Sequence, residues 1–280
     1  MTIKDLVVQI DQTPAAQGRL EAALMLAEHY EAHLTVLFLV AEPFVRGVSG
    51  YHLPADIIRE HLRHAEAEAD AVLVAAHQSA SGRAISFEAR REVGPLERLP
   101  TILARNARNA DLVIVGEPDQ ASGGTDETVL VETAFMDTGR PALVVPQAGF
   151  RVLPPRRVIV AWDGSREAAR AVHDALPLIR TADDVIILIA DAGKQGLRFG
   201  HQPGAGVAAH LGRHGVVARI KPVQSGGMAI ASLILDQAAK EAVDLIVMGG
   251  YGHSRLREMM LGGVTRHMIE RMTLPVLLAH

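Results

Sequence analysis

The chain reads as an α/β protein built from two tandem doubly wound parallel-sheet domains. Three observations predict this. Short apolar segments alternate with stretches of helical spacing along nearly the whole sequence. One of them, 33–40, is β-branched and apolar on both faces, as a strand covered by helices above and below tends to be. The alternation also occurs twice. LVVQID (6–11) is matched by VIVAWD (158–163), ADLVIVGEPD (110–119) by VDLIVMGGYG (243–252), and RPALVVP (140–146) by LPVLLAH (274–280). Alternating strands and helices with short connections imply, in each half, a parallel sheet with helices on both faces.

In order, the first domain (1–148) opens with a strand at 6–10 that ends at Asp11. A helix follows at 14–29, with Leu20, Ala23, Leu24 and Ala27 on one face. Next come the strand 33–40, a long Ala/Glu/His-rich helix at 54–76, and an alternating strand at 85–92. A helix at 96–109, a strand at 112–115, a helix at 128–137 and a strand at 142–145 close the unit. Residues 149–156, with Pro154-Pro155, form the linker. The second domain (157–280) runs strand 157–162, helix 165–179, strand 184–190, short helix 207–213, strand 216–223, helix 229–242 and strand 245–248. After a glycine-bearing loop it ends with a helix near 264–272 and a strand at 275–279.

That loop, within 243–265, is the chain's most informative stretch. The strand 245–248 breaks at Gly249-Gly250-Tyr251-Gly252, a polar segment with His253, Ser254, Arg255 and Arg257 follows, and Gly262-Gly263 opens a helix at Val264-Thr265. Glycine allows positive φ and close approach of a ligand to the backbone. Unpaired N–H groups and the positive end of a helix dipole then make an anion site, with phosphate the usual anion. Arginine offers phosphate a planar fork of donors. The bland alternative is a tight turn, a helix cap and a solvated loop.

Gly249-x-x-Gly252, nine residues, then Gly262 and a small residue is similar to the nucleotide-binding signature of the universal stress protein family. The resemblance runs on through Val264-Thr265 to the closing strand and, with the repeat, covers nearly the whole chain as a tandem pair. It implies a Rossmann-like fold of the adenine-nucleotide α-hydrolase type. It implies ATP, alone or with Mg2+, held by Met248, Gly249, Gly250, Gly252, His253, Arg255, Gly262, Gly263, Val264 and Thr265. The residues that border the base in the family correspond to Ala161, Trp162 and Asp163, with Ile189 lining the base pocket by backbone contact. The family pattern usually has Ser or Thr where this chain has Gly263, so a hydroxyl is lost there while the N–H remains. Read structurally, Asp163 or Ser165 is a helix N-cap and Trp162 a large core residue.

The repeat is unequal. The first half offers Gly116-Glu117-Pro118-Asp119 where the second has its glycines, and Thr128-Val129 in place of Gly262-Gly263. Pro118 removes a donor and the two carboxylates repel phosphate, so this half is expected not to bind nucleotide in the family manner.

Composition bounds the rest. Hydrophobic residues are 49% and charged residues 21%, as in a soluble globular protein, and the net charge of −4 gives no footprint for nucleic acid or an anionic membrane. No apolar run is long enough for a membrane helix, and the N-terminus lacks a signal-peptide layout, so a cytoplasmic protein is expected. Absence of cysteine excludes disulfides and thiolate sites. Gly204-Ala205-Gly206-x-x-Ala209 has dinucleotide spacing but follows no strand. Ser225-Gly226-Gly227 resembles an ATP-pyrophosphatase loop but lacks that motif's later acidic and hydroxyl residues. The pairs His210/His214 and His61/His64 have no third ligand, so no metal site is expected. No nucleophile–base arrangement is visible, and no catalytic residue is assigned.

Three readings stay open: a regulatory protein of stress responses that binds an adenine nucleotide in its second domain, an interaction scaffold with vestigial pockets, and a slow ATPase. An unidentified protein partner belongs to the first two. The closing strands 141–146 and 275–280 are expected to pair within the chain as an intrachain pseudo-dimer, with a homodimer of such chains also open.

Overall fold

The computed structural model describes residues 2–43, 55–119, 125–194, 202–251 and 263–280. Ten strands form one sheet: β1 (Asp5–Ile10), β2 (His33–Glu42), β3 (Ser86–Pro95), β4 (Leu112–Gly116), β5 (Ala142–Val145), β6 (Arg157–Ala161), β7 (Asp184–Ala190), β8 (Ala218–Val223), β9 (Leu245–Gly249) and β10 (Val276–Ala279). Their spatial order is β3-β2-β1-β4-β5-β10-β9-β6-β7-β8. Neighbours run parallel within each half, and β5 and β10 pair antiparallel, Leu143 opposite Leu277. The expected meeting of the closing strands within one chain is therefore seen. Because this joint is antiparallel, the carboxyl ends of the two halves' strands point to opposite edges of the sheet.

The helices are α1 (Ala15–Tyr30), α2 (Ala55–Ala80), α3 (Leu99–Ala107), α4 (Thr125–Met136), α5 (Arg166–Ile179), α6 (Ala205–Arg213), α7 (Ile230–Lys240) and α8 (Gly263–Arg271). The helix expected over 96–109 is divided: Leu96–Arg98 form a 3-10 turn, and Pro100, without an N–H, takes the first turn of α3. Helix α6 begins two residues before its expected start, because Gly204 caps it at φ +82°.

One apolar cluster lies on each face of the sheet, and each crosses the joint. On one face, Leu24 and Ala27 of α1 share a cluster with Val172 and Ala175 of α5. On the other, Phe135 of α4 joins Met268 and Ile269 of α8. Polar bonds reinforce the crossing. The Tyr30 hydroxyl donates to the Pro177 carbonyl oxygen (3.0 Å), and the Tyr251 hydroxyl donates to the Glu132 carboxylate (2.9 Å). Burial pushes the Tyr30 hydroxyl up to about 12, partly opposed by a bond with Thr181. In the connecting segment Leu153 is buried. No helix among the described residues is long and apolar enough to cross a membrane.

Candidate functional site

In the second half the chain runs from β6 outward to β7 and β8, then returns to the other side of β6 as β9. The strand order thus reverses between β6 and β9, and helices leave that point in opposite directions. A crevice opens there at the carboxyl ends of the strands, the usual ligand position in such sheets.

A cavity of about 300 Å³ fills this position. Its lining includes Ala161, Trp162, Asp163, Met248, Gly249, Gly263, Val264 and Thr265. The sequence had singled out all of these. The wall is completed by Ser165, Leu188, Ala190, Ile230, Ile234 and Tyr251, which sequence reasoning had not assigned to the site. Ile230 and Ile234, one turn apart on α7, present one apolar face. With Leu188, Ala190 and Met248 they make a greasy slot, while Asp163, Ser165 and Thr265 add polar groups to its lining.

Each turn around the slot has a local cause. Trp162 N–H donates to the Leu188 carbonyl, continuing the sheet by one residue (2.9 Å). Gly164 then takes φ +72°, and the Asp163 carboxylate accepts the Ser165 N–H at 2.9 Å. The Ser165 hydroxyl accepts the Ala168 N–H at 3.1 Å and caps α5, so the cap is the serine and the aspartate shapes the turn before it. Gly249 must be glycine: a Cβ there would stand 2.5 Å from the Ala168 nitrogen. Gly250 is closed off in the same way by Phe135, whose ring edge would be 2.4 Å from a Cβ, so this glycine serves packing and does not line the cavity. Tyr251 has φ +58°, and its N–H donates to the Thr265 hydroxyl at 3.2 Å, tying the end of β9 to α8.

Ile189 was expected to meet the base through its backbone. Its side chain is fully buried in the cluster on the opposite face, against Gly204, while its neighbours Leu188 and Ala190 line the cavity. Successive side chains of a strand alternate faces, which leaves Ile189 only its backbone for any contact with the slot. Gly252, His253, Arg255 and Gly262 lie outside the described residues.

The motifs set aside have structural explanations. Gly204 is required where a Cβ would press on Ile189 (2.8 Å), and Ser225 is bound by the Asp191 carboxylate through its N–H (2.8 Å) and hydroxyl (2.6 Å). Among the described residues no three His, Cys, Asp or Glu side chains converge as a metal site.

The equivalent crevice of the first half lies between β1 and β4. Strand register makes Gly116 the counterpart of Gly249. Buried Arg19, at the position of Ala171 in the second half, crosses this crevice. It donates to the Asp11 carboxylate (2.6 Å) and the Gln9 amide oxygen (3.3 Å), and its Nε is buried without a partner. A Cβ on Gly116 would meet its guanidinium at 2.1 Å. Burial alone would raise the Asp11 carboxyl; the Arg19 charge and the Thr13 bonds outweigh it and hold it below the usual range. The cavity that remains, about 270 Å³, is lined by Glu117, Asp119 and Glu127, and burial pushes the Glu117 carboxyl up against one opposing bond from Gln147 N–H. These side chains disfavour an anion.

No curated protein matches the sequence. Among solved structures, a universal stress protein from Archaeoglobus fulgidus is 16% identical, with 98% of this chain and 96% of that one covered at a TM-score of 0.71. A protein of unknown function from Pseudomonas aeruginosa is 15% identical, covering 99% and 92% of the two chains at a TM-score of 0.58. These likenesses bear on the fold. The model of the universal stress protein family matches residues 2–130 and 213–280, most of both halves, and the chain belongs to that family.

Proposed function

We propose that the second half binds an adenine nucleotide, with ATP the expected species, and that occupancy regulates what the protein contacts under stress. One observation carries this reading. An apolar slot sized for a heterocyclic base abuts the glycine-started N-terminus of α8, at the strand-order reversal. The base would lie between Ala190, Ile230, Ile234 and Met248, and the phosphates would run toward Gly263 and Thr265. Asp163 is suited to polar edges of the base or ribose, since a carboxylate repels phosphate. Magnesium, where present, would be carried by the phosphates, because the described residues form no metal cage. The cytoplasm is the proposed compartment, where such a nucleotide is met.

The test uses Ala190→Phe, which puts an aromatic ring into the slot from its apolar wall. Wild type is expected to retain nucleotide on purification or to bind Mg-ATP in equilibrium dialysis, and the variant to lose binding while keeping its melting temperature. Wild type that binds nothing at millimolar Mg-ATP would sink the reading and favour a scaffold without a ligand.

A further inference from the structure

Tyr251 holds a position that needs outside support. It follows β9, lines the cavity, and takes φ +58°, a left-handed conformation that a bulky residue avoids. Three contacts keep it there. Its N–H donates to the Thr265 hydroxyl at 3.2 Å. Its ring stacks on Phe135 with centroids 5.5 Å apart and planes 17° from parallel. Its hydroxyl donates to Glu132 at 2.9 Å, across 119 residues of sequence. Two of the three come from α4, in the other half of the molecule.

We propose that Glu132 and Phe135 of the first half are positioning residues for the ligand cleft of the second half, acting through Tyr251. The sheet geometry explains how. Helix α4 runs back against its own strands, so its last turn reaches the edge where, beyond the antiparallel joint, the strands of the second half end. Phe135 presses on the missing side chain of Gly250 and stacks on Tyr251, so one ring fixes two successive residues after β9. Release of Tyr251 lets its backbone leave the left-handed region. The Thr265 bond then breaks, and the cleft wall parts from the start of α8. The first half, whose own crevice is crossed by Arg19, thereby completes the site of the second. By linkage, a ligand that needs Tyr251 in place tightens the contact with α4 by the same factor.

As a statement about ligand affinity, the proposal rests on the nucleotide reading above. The test therefore carries one measurement that needs no ligand. In the full chain, Tyr251→Phe and Glu132→Leu remove the tether, and Glu132→Gln keeps an acceptor. Amide hydrogen exchange of the unliganded protein is followed at Tyr251, and ATP affinity by equilibrium dialysis. The first two variants are expected to speed exchange at Tyr251 and weaken ATP by about fivefold or more. Glu132→Gln should restore both, and the Tyr251→Phe, Glu132→Leu double variant should be no worse than either single one. Should Glu132→Leu unfold, Tyr251→Phe, which removes one oxygen, carries the test. Unchanged exchange at Tyr251 in folded Tyr251→Phe overturns the positioning role. Faster exchange in a protein whose wild type binds no ATP upholds that role and refutes the nucleotide reading alone.

Discussion

Gly249 and Gly263 stand on either side of one cavity, and their surroundings differ sharply. A methyl group on Gly249 would enter the backbone of α5 at Ala168, which has no flexible end to move aside. Gly249→Ala is expected to cost about 1–3 kcal/mol, seen as a lower midpoint in chemical denaturation. Nothing lies within 4 Å of a Cβ on Gly263, so Gly263→Ala should change stability by less than about 0.5 kcal/mol. Glu117 gives a test by pH. Its folded carboxyl titrates above the ordinary value, so the ionised form costs stability at neutral pH; that cost starts to fall as pH drops through the folded value and is gone below the ordinary one. Glu117→Gln should raise the melting temperature at pH 7 and lose that advantage below the ordinary glutamate range. Local spacing made Asp163, Met248 and Thr265 readable from sequence, since a strand end and a glycine pair locate them. Tyr251 was not readable as a wall residue, because what fixes it, Glu132 and Phe135, comes from more than a hundred residues away.

Helix α1 and strand β1 meet through Arg19, and this contact decides what the first crevice can hold. Arg19→Met removes the partner of Asp11 and Gln9 and is expected to destabilise by about 1–3 kcal/mol, read by denaturant titration at neutral pH. The Asp11 carboxyl is held low in the folded state, so the contribution of the bridge is full above the ordinary aspartate range and is lost as pH falls through the folded value. The difference between Arg19→Met and wild type should therefore shrink in acid. The elements themselves were legible, because apolar runs and helical spacing are local signals. Strand β7 spans Asp184–Ala190, as expected from its apolar run. Helix α2 runs to Ala80, four residues past its expected end, because HQSA continues the helix without a glycine or proline to stop it. That α1 carries an arginine into the core could not be read, since a helical arginine ordinarily faces solvent.

The sheet is continuous through β5 and β10, and both apolar clusters span the two halves. The molecule should accordingly unfold in one calorimetric transition, with van't Hoff and calorimetric enthalpies in agreement. Two transitions separated by more than a few degrees would show that the halves melt independently. The outer strands are guarded by charge: β3 carries Arg90, Arg91 and Glu92, and on β8 Arg219 and Lys221 pair with Asp184 and Glu241. Such edges resist pairing with another sheet. The matching closing strands made the central pairing legible in sequence. The orientation of α4 over the opposite cleft follows only once that pairing is known to be antiparallel.

The pairing of β5 with β10 also bears on dilution. Two separate chains that met through such strands would share a folded state only while their concentration exceeded a dissociation constant. Here one backbone joins the partners, and the local concentration of each strand around the other is set by the length of the connection. The joint, and the Tyr251 contact that depends on it, therefore persist however few copies a cell contains.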